Sequence, residues 1–309
     1  MDGQQLGSSS RATKGIQTMS NLSDKAMLVV LSIRQWSGEK DDSKATNEVC
    51  RQNGAADGSG KFRKMLLNKT ALGAIRKLCG EMRNRHYELT LPWADDGARI
   101  ITGAGFMRYR DEMQSFRVRI AELSDDFLTN YESYVADAQA SLGSLFCAGD
   151  YPHNGALKRR FGIDIRFRPV PDQGDFRVSL SADEVSLIKE QIEADVQSSV
   201  SYAMGEVAER IKTAISHMSD RMKAYAQSAD GSKVQNPFRD SLVENMKELV
   251  SILPSLNLTG DVRISELIND MKRELTQFSP IELRDSDQAR RKTAQSADAI
   301  LKKMESYGF

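Results

Sequence analysis

Residues 106–145, FMRYRDEMQSFRVRIAELSDDFLTNYESYVADAQASLGSL, decide the fold. Phe106, Tyr109, Met113, Phe116, Ile120, Leu123, Phe127, Tyr131, Tyr134, Ala138, Leu142 and Leu145 follow one another at alternating steps of three and four, with two places where a four follows a four. Steps of three and four keep apolar side chains on one stripe of a helix, and consecutive fours are stutters in a coiled-coil repeat. The spacing predicts a long helix of about 60 Å at 1.5 Å per residue.

Downstream, Ser181-Ala-Asp-Glu184 is a capping box that opens a second long helix. Its apolar positions recur every eleven residues, as Val185, Val196, Val207, Met218; as Ile192, Ala203, Ala214, Tyr225; and as Val200, Ile211, Met222. Eleven residues in three turns is a straight or slightly right-handed seam, and it predicts a helix to about Gln227. Two rods of this length need a covering surface, their own or a neighbour's.

Between the rods, beyond a break at Gly149–Gly155, Ile163, Ile165 and Phe167 alternate with charged residues. Phe176, Val178 and Leu180 repeat the pattern after a loop at 169–174, which predicts a hairpin. Upstream, Met27–Trp36 reads as a strand, so a three-stranded sheet is expected. A short helix at 44–52, a Gly-rich joint at 53–60, and a helix from an N-cap at Thr70 to His86 come next, then Leu91-Pro92-Trp93 and a turn at Ala94–Gly97. After the second rod, Asn236-Pro237 and the capping box Ser279-Pro-Ile-Glu282 mark helices at 237–253, 261–277 and 280–306. The expected fold class is mainly α (α+β), with two long coiled-coil-like helices, a small three-stranded sheet and a C-terminal helical module. The expected organisation is a tail at 1–22, a strand and long-helix domain at 23–228, a linker at 229–236 and the module at 237–309.

Composition narrows the function classes. Forty-three basic and forty-three acidic residues cancel, so no global field gathers nucleic acid or anionic membrane. Cys50, Cys79 and Cys147 lie far apart without a CxxC pair, which fits a reducing compartment and speaks against a zinc site. No apolar run reaches the roughly 20 residues that cross a bilayer, and the N-terminal stretch lacks a signal-peptide core, so a cytoplasmic chain is expected.

The chemical motifs thin out on inspection. Gly54-Ala-Ala-Asp-Gly-Ser-Gly-Lys61 echoes a phosphate-binding loop, but Ala55 stands where the motif needs Gly and Phe62 where it needs Ser or Thr, so a linker is expected. Asp95 and Asp96 form one carboxylate pair with no supporting His or Glu spacing, and a turn role explains them more simply than metal or proton chemistry. His86, His153 and His217 stand singly. The expectation is a non-enzyme with no catalytic residue, metal or cofactor.

Two basic clusters carry a nucleic-acid alternative. Lys61, Arg63, Lys64, Lys69, Arg76, Lys77, Arg83 and Arg85 face one acid, Glu81; Lys158, Arg159 and Arg160 precede the hairpin, and Arg166, Arg168 and Arg177 share one face of it. Joined, such surfaces would grip phosphates through counterion release. Charged faces are ordinarily just solvated, and acids such as those at 183–195 are available to neutralise them.

A set of short motifs also resembles a known family. Leu31-Ser-Ile-Arg34 with Trp36, Leu89-Thr-Leu-Pro-Trp93 with Gly97-Ala-Arg99, Asp150-Tyr-Pro152, Arg160-Phe-Gly162, Arg168-Pro-Val-Pro171 and Asp175-Phe-Arg-Val178 are similar to a family of uncharacterised bacteriophage and mobile-element proteins, over residues 26–200. That family is a domain of unknown function found near cobalt-chelatase-like AAA ATPases and recombination genes. The resemblance implies an accessory or adaptor role, in the host cytoplasm if phage-encoded, and supplies no catalytic residue. Together with the two rods, it predicts a protein working as a homo-oligomer or on a partner such as an AAA ATPase, without a membrane. A DNA- or RNA-binding accessory factor in recombination or replication is the alternative.

Overall fold

The computed structural model describes residues 22–172, 181–227 and 234–309. These are mostly helical, with a small antiparallel sheet. In chain order the strands are β1 (Ala26–Arg34), β2 (Glu39–Asp41), β3 (Arg63–Met65), β4 (Leu91–Pro92), β5 (Arg99–Thr102), β6 (Gly162–Pro169), β7 (Ala226–Gln227) and β8 (Val234–Gln235). The α-helices are α1 (Ser43–Gln52), α2 (Gly73–Leu89), α3 (Gly103–Thr129), α4 (Tyr131–Leu142), α5 (Asn154–Lys158), α6 (Ala182–Ala224), α7 (Ser241–Leu256), α8 (Val262–Glu274), α9 (Pro280–Asp285) and α10 (Asp287–Tyr307).

The main sheet has the order β4-β5-β1-β6. β1 and β5 run antiparallel with Ala26 opposite Thr102 and Val29 opposite Arg99. β4 and β5 are additions to the expected sheet; at two and four residues they are too short to show alternation. The expected strand at 176–180, the tail at 1–21, Arg177 and most of the 229–236 linker lie outside the described residues. Leu22, expected in the tail, is buried, and its carbonyl closes a turn on the amides of Lys25 and Ala26.

The chain divides into two compact units: Leu31–Tyr87 with Arg108–Arg166, and the remainder through Val30, Glu88–Met107 and Phe167–Phe309. In the first unit, Leu72, Ile75, Leu78, Cys79 and Met82 bury the predicted face of α2, which begins at Gly73 and continues to Leu89. Tyr109, Met113, Ile120, Phe127, Tyr131 and Ala138 bury the stripe of α3 and α4. Trp36 meets Phe127 and Tyr131 at ring separations of 6.4 and 5.9 Å, and Phe161 sets its edge on Phe127 at 5.7 Å. This aromatic cluster is the apolar centre of the unit.

The first rod is not one helix. It bends at Asn130, where ψ is 4° instead of the helical value near −42°. The Thr129 hydroxyl and the Asn130 amide donate to the carbonyls of Asp125 and Asp126, both at 2.9 Å, and such side-chain bonds compete with a regular ladder. The flanking backbone bonds, Asn130 to Asp126 and Tyr134 to Asn130, survive at 3.1 and 3.2 Å, so the break is a bend. It falls on the first stutter, Leu123-Phe127-Tyr131; α4 ends at Leu142, on the second.

In the second unit α6 is continuous for 43 residues, about 65 Å. The capping box is formed: the Ser181 hydroxyl accepts from the Glu184 amide at 3.3 Å and the Glu184 carboxylate accepts from the Ser181 amide at 3.1 Å. From Val196 onward the eleven-residue seam is buried through Ala203, Val207, Ile211, Met218 and Met222. Its main cover is α10, with β4 and α7 beside it. α10 presents the small buried residues Ala294 and Ala297, which let the two helix backbones approach. Asp298 then accepts from Ser219 and Lys223, each at 2.7 Å. Arg210 ties the rod to the segment that leads into β4 by donating to the carbonyls of Glu88 and Thr90, at 3.0 and 3.2 Å.

Residues 237–309 share a compact unit with α6, whose apolar seam α7 and α10 cover. Their helix starts differ from the expected ones. Asn236 adopts a left-handed φ of 51° and caps the Ala224 carbonyl at 3.1 Å, so Pro237 precedes the helix and α7 starts at Ser241. The last helix is two, α9 and α10, because Ser286 leaves the helical conformation at φ −116° and ψ 110° and caps α10.

Candidate interaction surfaces

The basic cluster at 61–85 lies in the first unit, and most of its charges are paired inside the chain. Lys61 and Arg63 pair with Asp41 at 2.8 and 2.9 Å. Arg76 donates to the Ser37 carbonyl, Lys77 reaches Glu81 at 3.9 Å, and Arg85 holds Glu112, with Nη2 donating to Oε1 at 2.7 Å. Lys69 and Arg83 have no ion pair among the described residues.

Lys64 is the outlier. A lysine at the centre of a three-residue strand is expected in water, yet its side chain is 5% exposed. Its ammonium lies 3.0 Å from Asp42 Oδ2 and 2.6 Å from Asp150 Oδ2, and it donates to the Leu145 carbonyl at 2.8 Å. Lys40 takes the other oxygen of Asp150. The Asp150 hydrogen bond raises the Lys64 pKa against the opposing effect of burial. Burial pushes the Asp150 carboxyl up, but hydrogen bonds from Lys40 and Lys64 and their charges together hold it below the usual carboxylate range. The cluster closes β2, β3 and the turn at Ala148–Asp150 on one another, and it leaves the Lys64 ammonium no room for phosphate. Sequence spacing carries no sign of it, because its members lie up to 110 residues apart.

Other candidates resolve in the same way. Asp96 accepts from the Ala98 amide at 2.8 Å in a turn and faces Arg168 loosely at 3.9 Å. Gly54 and Gly58 take φ of 63° and 84° in turns that follow α1, so a helix and not a strand feeds the glycine-rich stretch before β3. His86 is buried against the Tyr109 hydroxyl at 2.9 Å, His153 caps α5, and His217 lies 3.3 Å from Arg221. Among the described residues no group of His, Cys, Asp and Glu is placed to hold a metal ion.

The second basic cluster keeps more of its charge. Lys158 meets Asp125 at 3.5 Å with both side chains largely exposed, whereas Arg159 and Arg160 are exposed and have no ion pair among the described residues. Arg166 pairs with Asp164 at 2.7 Å. In the second unit Ser23, Lys25, Gly103, Phe167 and Arg168 line an open cleft of about 350 Å³, with Asp24 on its wall and Asp96 facing Arg168, so acids balance its bases.

The first turns of α6 present the clearest uncovered surface. No residue from Ser181 to Asp195 is buried, although Val185, Leu187, Ile188 and Ile192 are apolar. Leu187 is 67% exposed and, further along the same side, Tyr202 is 65% exposed. Between 190 and 209 there are five acids and no lysine or arginine. Lys189 and Arg210 bound that stretch, and Arg210 is engaged by Glu206 at 3.0 Å as well as by the Glu88 carbonyl. Glu190, Glu193 and Asp195 have no ion pair among the described residues.

Among the described residues no helix is long and apolar enough to cross a membrane. No family model, curated protein or solved structure matches this chain.

Proposed function

We propose that this chain is a non-enzymatic assembly or adaptor protein of a bacteriophage or mobile element, acting in the cytoplasm through homo-oligomerisation or on a partner such as an AAA ATPase. The observation that carries this reading is the uncovered front of α6. A helix held along its C-terminal part and left bare over about its first four turns, with Leu187 in water there and Tyr202 exposed further along, has the form of an anchored docking arm. Light scattering and sedimentation across the micromolar range, with affinity purification from the native host, test it. Assembly or a stoichiometric partner is expected; a monomer recovered alone at every concentration overturns it.

The nucleic-acid reading keeps support from Arg159 and Arg160, which are exposed and lack ion pairs among the described residues. It is the weaker of the two, because the 61–85 cluster commits its charges to Asp41, Asp42, Asp150 and Glu112.

A further inference from the structure

We infer that the acidic front of α6 docks on the exposed basic segment Lys158-Arg159-Arg160, here termed the tip, of a second copy of the chain, in a head-to-tail contact. The inference rests on the assembly reading and specifies its interface. Two fronts are poorly suited to each other. If they met about a two-fold axis, the acids at 190–209 of one copy would lie against the same acids of the other, flanked by Lys189 and by Arg210, which Glu206 already engages. Like charges face to face oppose such a symmetric pair.

A heterologous contact escapes that repulsion. The front carries Glu190, Glu193 and Asp195 without ion pairs among the described residues; the tip carries Arg159 and Arg160 likewise, and Lys158 only in an exposed pair with Asp125. The net charge of the whole chain is zero, so copies approach without overall repulsion and the local patches set the orientation. Opposed charges steer and fix register, while burial of Leu187 and Tyr202 adds apolar area. A front-to-tip contact made once between any two copies does not stop at two; it grows into a ring or an open filament.

The test neutralises one side at a time and leaves the fold intact, which circular dichroism verifies. A front variant carries Glu190→Gln, Glu193→Gln and Asp195→Asn; a tip variant carries Arg159→Gln and Arg160→Gln. By mass photometry and sedimentation, the unmodified chain is expected to form species larger than a dimer, weakening about tenfold between low and high salt as screening shortens. Each variant alone is expected to be monomeric at the same concentration. An equimolar mixture of the two keeps one intact front and one intact tip, and is expected to stop at a dimer. An unmodified chain that halts at a two-fold dimer, or variants that assemble as it does, overturns the head-to-tail contact while the assembly reading stands. An unmodified chain that stays monomeric with no partner removes both.

Discussion

Asp150 Oδ2 lies 2.6 Å from the ammonium of Lys64, and both side chains are almost wholly withdrawn from water. Asp150→Asn would leave that ammonium buried with one carboxylate fewer, which costs roughly 2–4 kcal/mol at neutral pH. The folded-state pKa of Asp150 is depressed, so its contribution is present above the unfolded carboxylate value and lost as pH falls through the folded one. Denaturant melts of the two proteins should therefore differ most from about pH 5 upward and converge only as pH falls through the depressed folded value of Asp150. The raised pKa of Lys64 sets the alkaline limit: its contribution is complete below about pH 10 and declines above.

Tyr131 offers a case of opposite sign. Its hydroxyl is buried without a hydrogen-bond partner among the described residues, and burial pushes its pKa up to about 12. Tyr131→Phe keeps the ring against Trp36 and Phe127 and removes the unpaired polar atom. Thermal melts should find the variant as stable as the parent or better, by up to about 1–2 kcal/mol. The unfolded phenol ionises first as pH rises past about 10, so the parent should lose further ground to the variant between about pH 10 and 12.

How much of this was legible in the sequence varies with what each element rests on. The seam of α6 could be read because the buried apolar positions Val196, Val200, Ala203, Val207, Ile211, Met218 and Met222 fall on the eleven-residue ladder. The bend at Asn130 was foreshadowed by the stutter at Phe127, but its size depends on Thr129 and Asn130 bonding carbonyls four residues back. What could not be read was the cover. Nothing in the periodicity of α6 says that Ala294 and Ala297, far along the chain, lie against it. Nor does any local pattern say that Lys64 is inside while Lys69 is out.

The closeness of α6 and α10 can be probed at Ala297, which is fully buried. Ala297→Leu adds three carbons to a filled seam and should destabilise by about 1–3 kcal/mol, or force the helices apart. As a control, Lys302→Ala on the exposed side of α10 should leave stability within about 0.5 kcal/mol of the parent in the same denaturant melts. Equal effects at both positions would mean the seam is not packed as described.

With the basic side chains of the 61–85 cluster mostly engaged inside the chain, that surface should interact weakly with nucleic acid. In fluorescence anisotropy at low salt, a short duplex or single strand should show no saturable binding. Saturable binding that disappears when Arg76 and Arg83 are reversed to Glu would reinstate the accessory-factor reading, because those two residues share one edge of α2 at the centre of the 61–85 cluster.

The capping box at Ser181 and Glu184 bears on more than the start of a helix. It keeps the bare turns of α6 wound before anything touches them, so an incoming surface meets a finished rod rather than a chain still to be ordered. Association then forfeits little conformational entropy, and a modest contact area is enough. Unwinding that one reciprocal bond with Ser181→Ala would weaken every encounter at Leu187 while leaving the distant, α10-clamped root untouched.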